Sequence, residues 1–224
     1  MCGRFGLTRP DRLDLERFGV TGEVPAQEPR FNIPPSSDIL VVRERKGVTQ
    51  ADMLKWGLVP SWAKDPSIGH RMANVRTDTA LDKSTFRTAI QKRRCLIPAD
   101  VFFEWQDVPG QKRRKPYAVA MLEGEPFALG GLWEAWRPKD GAEWLITCAI
   151  LTTEPNELLA PIHDRMPVIV KPEDYAKWID PATAIVDVRG LVEPFQPEAL
   201  RTWEVSLLVN DPKVDDARVI APVD

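Results

Sequence analysis

The sequence predicts an α+β protein: a strongly curved, barrel-like and mainly antiparallel β-sheet core with a few short flanking helices. Three observations predict it. First, eight stretches rich in Val, Ile, Phe and Trp, at 39–44, 48–56, 100–106, 116–122, 127–133, 144–152, 166–170 and 203–209, mostly have Gly, Pro or Asp between them. That is the pattern of short strands joined by turns. Second, helical periodicity is confined to brief segments. Third, the 21 prolines are spread along the chain and neither a repeat nor a low-complexity linker divides it, so residues 1–224 read as one domain. Many strands and few helices favour a bent, barrel-like sheet.

Taken in order, Thr8 with Asp11 three residues on resembles a capping box, with Pro10 in the first turn, and opens a helix to about Phe18. Ser84 is placed to cap a second helix whose apolar stripe is Phe86, Ala89 and Ile90. Pro155, Pro172 and Pro197 each sit where a first helical turn could start. Some strand candidates alternate, while 144–151 is apolar almost throughout and reads as buried on both faces.

With 43% hydrophobic and 28% charged residues, the 224-residue chain has the composition of a folded, soluble protein. Met1–Gly6 contains no apolar run of the secretory type, and no stretch approaches the roughly 20 apolar residues of a membrane span, so a cytoplasmic location is expected. Three cysteines, Cys2, Cys95 and Cys148, are no disulfide framework and read as reduced thiols. Without a CxxC, HExxH or Gly-rich phosphate loop, neither metal nor cofactor is expected. The net charge is −3, but residues 71–94 carry seven Lys/Arg against Asp78 and Asp82, and 171–224 carry eleven Asp/Glu against six Lys/Arg. Either one face attracts phosphates or both are ordinary solvated faces.

Cys2 is the most unusual residue. Removal of Met1 would leave an α-amine and a thiol on adjacent carbons. The amine, with a pKa of roughly 7.7–8.0, can condense with an aldehyde to an imine, which the thiol can close to a five-membered ring. Alone, Cys2 also reads as a small apolar residue near a terminus. His163, in the proline-flanked stretch 161–167, could transfer a proton or simply pair with Asp164. Glu104, between Phe103 and Trp105, would face opposite to both; if enclosed it becomes a general acid or base, and otherwise it is a solvent-facing strand residue. Asn74 suits a turn, and Arg76 could hold a phosphate. Trp56 and Trp62 could stack on unpaired bases or fill the core.

Taken together, Met1–Phe5, Arg30–Pro34, Lys55–Ala63, Ala73–Thr77, Arg94–Asp100 with Phe103–Trp105, Gly131–Glu134, Leu151–Glu154 and Ile162–Pro167 resemble the SOS-response-associated peptidase (SRAP) family, whose members shield abasic sites in single-stranded DNA. The resemblance implies a mixed α/β barrel-like fold, a mature N-terminal Cys2 that forms a thiazolidine with the ring-opened abasic sugar, and Asn74, Glu104 and His163 as the other active-site residues. It places Arg4, Asn32, Trp62 and Arg76 at DNA contacts and implies self-removal of residues preceding Cys2. It also leads one to expect small residues at 75 and 101, Tyr at 103 and Asn-Pro-Arg at 211–213, where this chain has Val75, Val101, Phe103 and Asp211-Pro-Lys213.

The expected activity is covalent capture of abasic sites by a monomer that meets the nucleoid when engaged with DNA, with thiol autopeptidase and AP-lyase-like side activities. Single-stranded DNA is the expected partner. Two alternatives stay open: an N-terminal-nucleophile cysteine amidohydrolase, and a non-catalytic single-strand-binding module.

Overall fold

A computed structural model describes residues 2–138, 141 and 143–223. Its strands, in chain order, are β1 (Arg4–Leu7), β2 (Arg30–Ile33), β3 (Asp38–Arg45), β4 (Val48–Trp56), β5 (Asn74–Arg76), β6 (Arg94–Ala99), β7 (Val101–Gln106), β8 (Lys115–Met121), β9 (Phe127–Trp136), β10 (Leu145–Thr153), β11 (Met166–Pro167), β12 (Ile169–Val170) and β13 (Leu200–Glu204). The helices are short: α1 (Thr77–Asp82), α2 (Arg87–Lys92), α3 (Tyr175–Ile179) and α4 (Ile185–Gly190).

One sheet closes on itself. β10, β4, β3, β6 and β9 pair in that order, and β9 returns to β10 over six residue pairs from Leu145↔Trp136 to Ile150↔Gly131. The closure needs one parallel step, β10 beside β4, after which β10 runs on beside β5 with Ile150 opposite Asn74. The second sheet is antiparallel in the order β13-β8-β7-β1-β2. A core that includes Phe5, Phe102 and Val119 of the second sheet and Trp56, Ile97, Leu129 and Ile150 of the barrel joins the two, and Cys2 belongs to it. The predicted barrel-like, mainly antiparallel architecture is therefore present, and Cys148–Leu151 of β10 are fully buried, as their apolar run suggested.

The local expectations divide. β4 spans 48–56 as read, and Phe86, Ala89 and Ile90 are buried along the turn and helix that begin at Ser84, although Ser84 makes no capping hydrogen bond. Pro172 and Pro197 each open a 3-10 turn, whereas Pro155 starts no helix. The helix from Thr8 to Phe18 is absent; only Pro10–Arg12 form a 3-10 turn. The reason lies in Asp100, whose carboxylate takes the Thr8 N–H at 2.9 Å, the Thr8 hydroxyl at 3.0 Å and the Arg9 N–H at 2.7 Å. A partner 91 residues away has captured the donors that a capping box would use. The expected strand over 203–209 stops at Glu204, and 166–170 is split at Val168.

One glycine is demanded by the packing. Gly57 has φ +143°, and a Cβ there would stand 2.7 Å from the Gly69 carbonyl oxygen. That close approach lets the chain turn from β4 through the 57–72 loop into β5, which carries Asn74.

Candidate active site

Cys2 leads into β1, which lies antiparallel to β7 with Arg4 opposite Phe103 and Phe5 opposite Phe102. Continuing that register by one residue brings Glu104 beside the start of the chain. β5 approaches from the barrel, and Asn74 Nδ2 donates to the Cys2 carbonyl at 2.9 Å. His163 ends a tight turn in which Asn156 Oδ1 accepts from the Leu159 N–H at 3.0 Å and the His163 N–H donates to the Leu159 carbonyl at 2.9 Å. His163 Nε2 stands 3.8 Å from Glu104 Oε2. Four side chains expected from sequence, from four distant parts of the chain, thus converge.

Electrostatics follow from enclosure. Cys2 is fully buried, and burial first and the nearby Glu104 carboxylate second push its thiol well above the ordinary range. Glu104, 1% exposed, is pushed by burial up to about 7, where it can both accept and release a proton at neutral pH. Burial lowers His163 below its ordinary value, so the neutral ring prevails at pH 7. The Arg165 N–H points at His163 Nδ1 at 3.0 Å and can only donate, which assigns the neutral ring's proton to Nε2, facing Glu104. Asp164 Oδ1, 2.9 Å from Nδ1, favours the doubly protonated ring instead. The site can therefore move protons but holds its thiol as a thiol. Asn74 Oδ1 is buried with no donor among the described residues.

The four residues expected at DNA contacts fall into two pairs. Trp62 is 58% exposed, and the Arg76 side chain is 53% exposed with Nη2 2.8 Å from Asp78. Arg4 and Asn32 are instead engaged inside the protein. Arg4 Nη1 donates to Asn32 Oδ1 at 2.8 Å and to the Val209 carbonyl at 2.7 Å, and Nη2 to the Asn210 carbonyl at 3.3 Å. Asn32 is fully buried and its amide donates to the Val209, Asp211 and Val214 carbonyls at 3.2, 3.0 and 2.8 Å. Trp56 is core: it is fully buried and its indole donates to the Ala73 carbonyl at 2.7 Å. In the basic segment 71–94, Arg94 also points inward, to the carbonyls of Ile90, Gln91, Trp178 and Asp180.

Sequence reasoning missed two supports. Asn156 shapes the His163 turn, and its Nδ2 also holds the Phe195 carbonyl at 2.7 Å. Arg165, 6% exposed, donates to the Thr152 carbonyl at 2.7 Å, and its guanidinium is disfavoured by burial and by nearby Arg76. Its signal was its place in the stretch 162–167 that carries His163.

The family model described as SOS response associated peptidase (SRAP) matches residues 1–212. The chain belongs to the SRAP family. It is 38% identical over 223 residues to the abasic site processing protein YoqW of Bacillus subtilis, covering 98% of this chain and 99% of that one. It is 30% identical to the abasic site processing protein HMCES of Pongo abelii, covering all of this chain and 77% of that one. A solved structure of a protein from Bacteroides thetaiotaomicron superposes with a TM-score of 0.85 at 23% identity over 99% of this chain and all of that one, which shows that the fold is shared. Among the described residues of this SRAP chain, no helix is long and apolar enough to cross a membrane.

Proposed function

We propose that this protein captures abasic sites in single-stranded DNA covalently, through a thiazolidine on a mature N-terminal Cys2. The observation that carries the reading is the enclosure of Cys2, Glu104, Asn74 and His163 in one cluster, with Asn74 holding the Cys2 carbonyl and Glu104 facing His163. Membership of a family whose relatives include abasic site processing proteins supports it.

With Met1 removed, the Cys2 amine adds to the aldehyde carbon of the ring-opened sugar. His163 Nε2–H donates to the sugar oxygen as the ring opens. Loss of one water from the carbinolamine gives the imine. The Cys2 sulfur then bonds to the imine carbon. Its proton passes to Glu104 and from there to the former imine nitrogen, which ends as the thiazolidine N–H with Glu104 again a carboxylate. A thiol kept protonated by burial is no obstacle, because a carboxylate with a pKa near 7 stands beside it to take the proton as the ring closes. Asn74 Oδ1 accepts from a sugar hydroxyl. Trp62 stacks on a base, and Arg76 exchanges Asp78 for a phosphate, a cheap exchange because an ion pair between exposed side chains contributes little. Arg4 and Asn32 hold the 209–214 segment in place. Removal of residues preceding Cys2 is the peptidase step, and lyase action on the imine is a side reaction of the same amine. The protein is read as a single-domain monomer of the cytoplasm.

A denaturing gel tests the proposal. Purified protein mixed with a single strand containing one abasic site should give a heat-stable shifted band, while the intact strand gives none. Mass spectrometry should place the sugar on the peptide that begins at Cys2. An adduct at Cys95 or Cys148, or none, would sink the thiazolidine.

A further inference from the structure

Two further side chains share Glu104's face of the second sheet. In the register of β7 with β8, Glu104 lies opposite Tyr117 and Gln106 opposite Lys115. Residues two apart on a strand share a face, as do residues opposite each other across a pair, so Glu104, Gln106 and Tyr117 project the same way. The turn that ends at His163 meets that face at two points. His163 Nε2 stands 3.8 Å from Glu104 Oε2, and two residues earlier the Pro161 carbonyl accepts from Gln106 Nε2 at 2.9 Å. A carbonyl can only accept, which assigns Nε2 to Pro161 and leaves Oε1 for the Tyr117 hydroxyl, 3.3 Å away. The start of the turn is anchored separately, by Asn156 to the Leu159 N–H and the Phe195 carbonyl.

The two contacts differ in kind. Glu104 and His163 each move a proton in the reaction, so the attraction between them changes as the reaction proceeds. The Gln106 amide and the Pro161 carbonyl do not titrate, so their bond holds whichever group carries the proton. Resting on the abasic-site reading above, we propose that Gln106 is a positioning residue, which sets the distance of His163 from Glu104 by holding the Pro161 carbonyl from Glu104's own strand. β7 then carries both the carboxylate and the ruler for its partner. Tyr117 orients the Gln106 amide, and Asn156 keeps the rest of the turn from following if the Pro161 end is released. Gln106 acts on the reaction only through His163.

The test is a double-mutant cycle on the rate of adduct formation with an abasic single strand. Gln106→Met keeps the length of a half-buried side chain and removes its N–H donor, so the fold should be preserved. It should slow the reaction by on the order of tenfold, because a displaced proton donor is a poor one. In the His163→Ala background the same change should cost nothing further. A wild-type rate in Gln106→Met, or an equal loss in both backgrounds, overturns the proposal. A second readout needs no DNA. The chain has two histidines, and His70, beside the Ser36 hydroxyl at 3.1 Å, gives a reference for the ring signal of His163 in NMR spectra. Gln106→Met should move the His163 signal and leave that of His70 in place. An unmoved His163 signal overturns the proposal whatever the adduct does. A moved signal in a protein that forms no adduct with any strand sinks the abasic-site reading and supports the hold of Gln106 on His163.

Discussion

At the Cys2 cluster the polar side chains are withdrawn from water, whereas Trp62 and Arg76 are more than half exposed and Arg76 is already paired with Asp78. Cys2 and Glu104 are 0% and 1% exposed, and burial raises the pKa of each. Trp62 is 58% exposed, and Arg76 is paired with an equally exposed Asp78. Burial changes what a group can do chemically, because desolvation acts on its charged form. Exposure leaves chemistry alone and sets affinity through screened charge and stacking. Substitutions in the first region should therefore alter the product or its rate, and substitutions in the second should alter binding and its salt dependence.

The largest effect is expected at Cys2. Cys2→Ala keeps an N-terminal amine once Met1 is removed, so an imine still forms, but no sulfur closes the ring. Heat-stable adduct should fall to background while borohydride still traps a covalent species. A normal yield of stable adduct from Cys2→Ala would transfer the chemistry to another residue and break the contrast between the regions.

Glu104 gives the next effect. Glu104→Gln should slow adduct formation about 10²–10⁴-fold, the usual worth of a positioned proton-transfer group. The wild-type rate should rise with pH through about 7 as Glu104 loses its proton, and the variant should lack that limb. Stability should move the opposite way. A carboxyl whose folded pKa is raised is favoured by folding while protonated, so the wild type loses stability as pH rises from its ordinary value near 4.5 through about 7. Above that window Glu104→Gln should be the more stable protein, by on the order of a few kcal/mol in thermal or urea unfolding. His163→Ala should slow the reaction by less than Glu104→Gln, because the neutral ring only donates one proton; an equal or greater loss would reverse their roles.

How far this contrast was legible in the sequence depends on the scale of the controlling interaction. β4 and the Phe86–Ala89–Ile90 stripe could be read because period and turn residues are local signals. Cys2, Asn74, Glu104 and His163 stood out through residue type and through the joint order of their motifs, not through spacing. The helix expected at 8–18 failed because its donors were taken by Asp100, a contact that local pattern cannot contain. Asn32 and Arg4 could not be sorted from Arg76 for the same reason. All three are polar residues in matched motifs, and only the return of residues 209–214, whose carbonyls accept from Arg4 and Asn32, sets two of them apart. β5 and β6 escaped notice, one being three residues long and the other carrying Arg94 and Pro98 in a buried strand.

The smallest effect separates the two arginines. Arg76→Ala removes an exposed charge, so its unfolding temperature should hardly change. If Arg76 meets a phosphate, the slope of log K against log salt for an intact single strand should flatten by about 0.7. Arg4→Ala is a different experiment. It leaves Asn32 Oδ1 without its donor in a partly buried place and the Val209 carbonyl with only the Asn32 amide, a cost of about 1–3 kcal/mol. For a chain of this length each kcal/mol lowers the melting temperature by about 2–4 °C. The expected outcome is a lower melting temperature with little change in salt slope for Arg4→Ala, and the reverse for Arg76→Ala. A slope that flattens equally in both, with both proteins as stable as the wild type, would mean that Arg4 leaves its carbonyl partners to meet DNA. The division between an enclosed strut and an exposed contact would then describe only the unliganded protein.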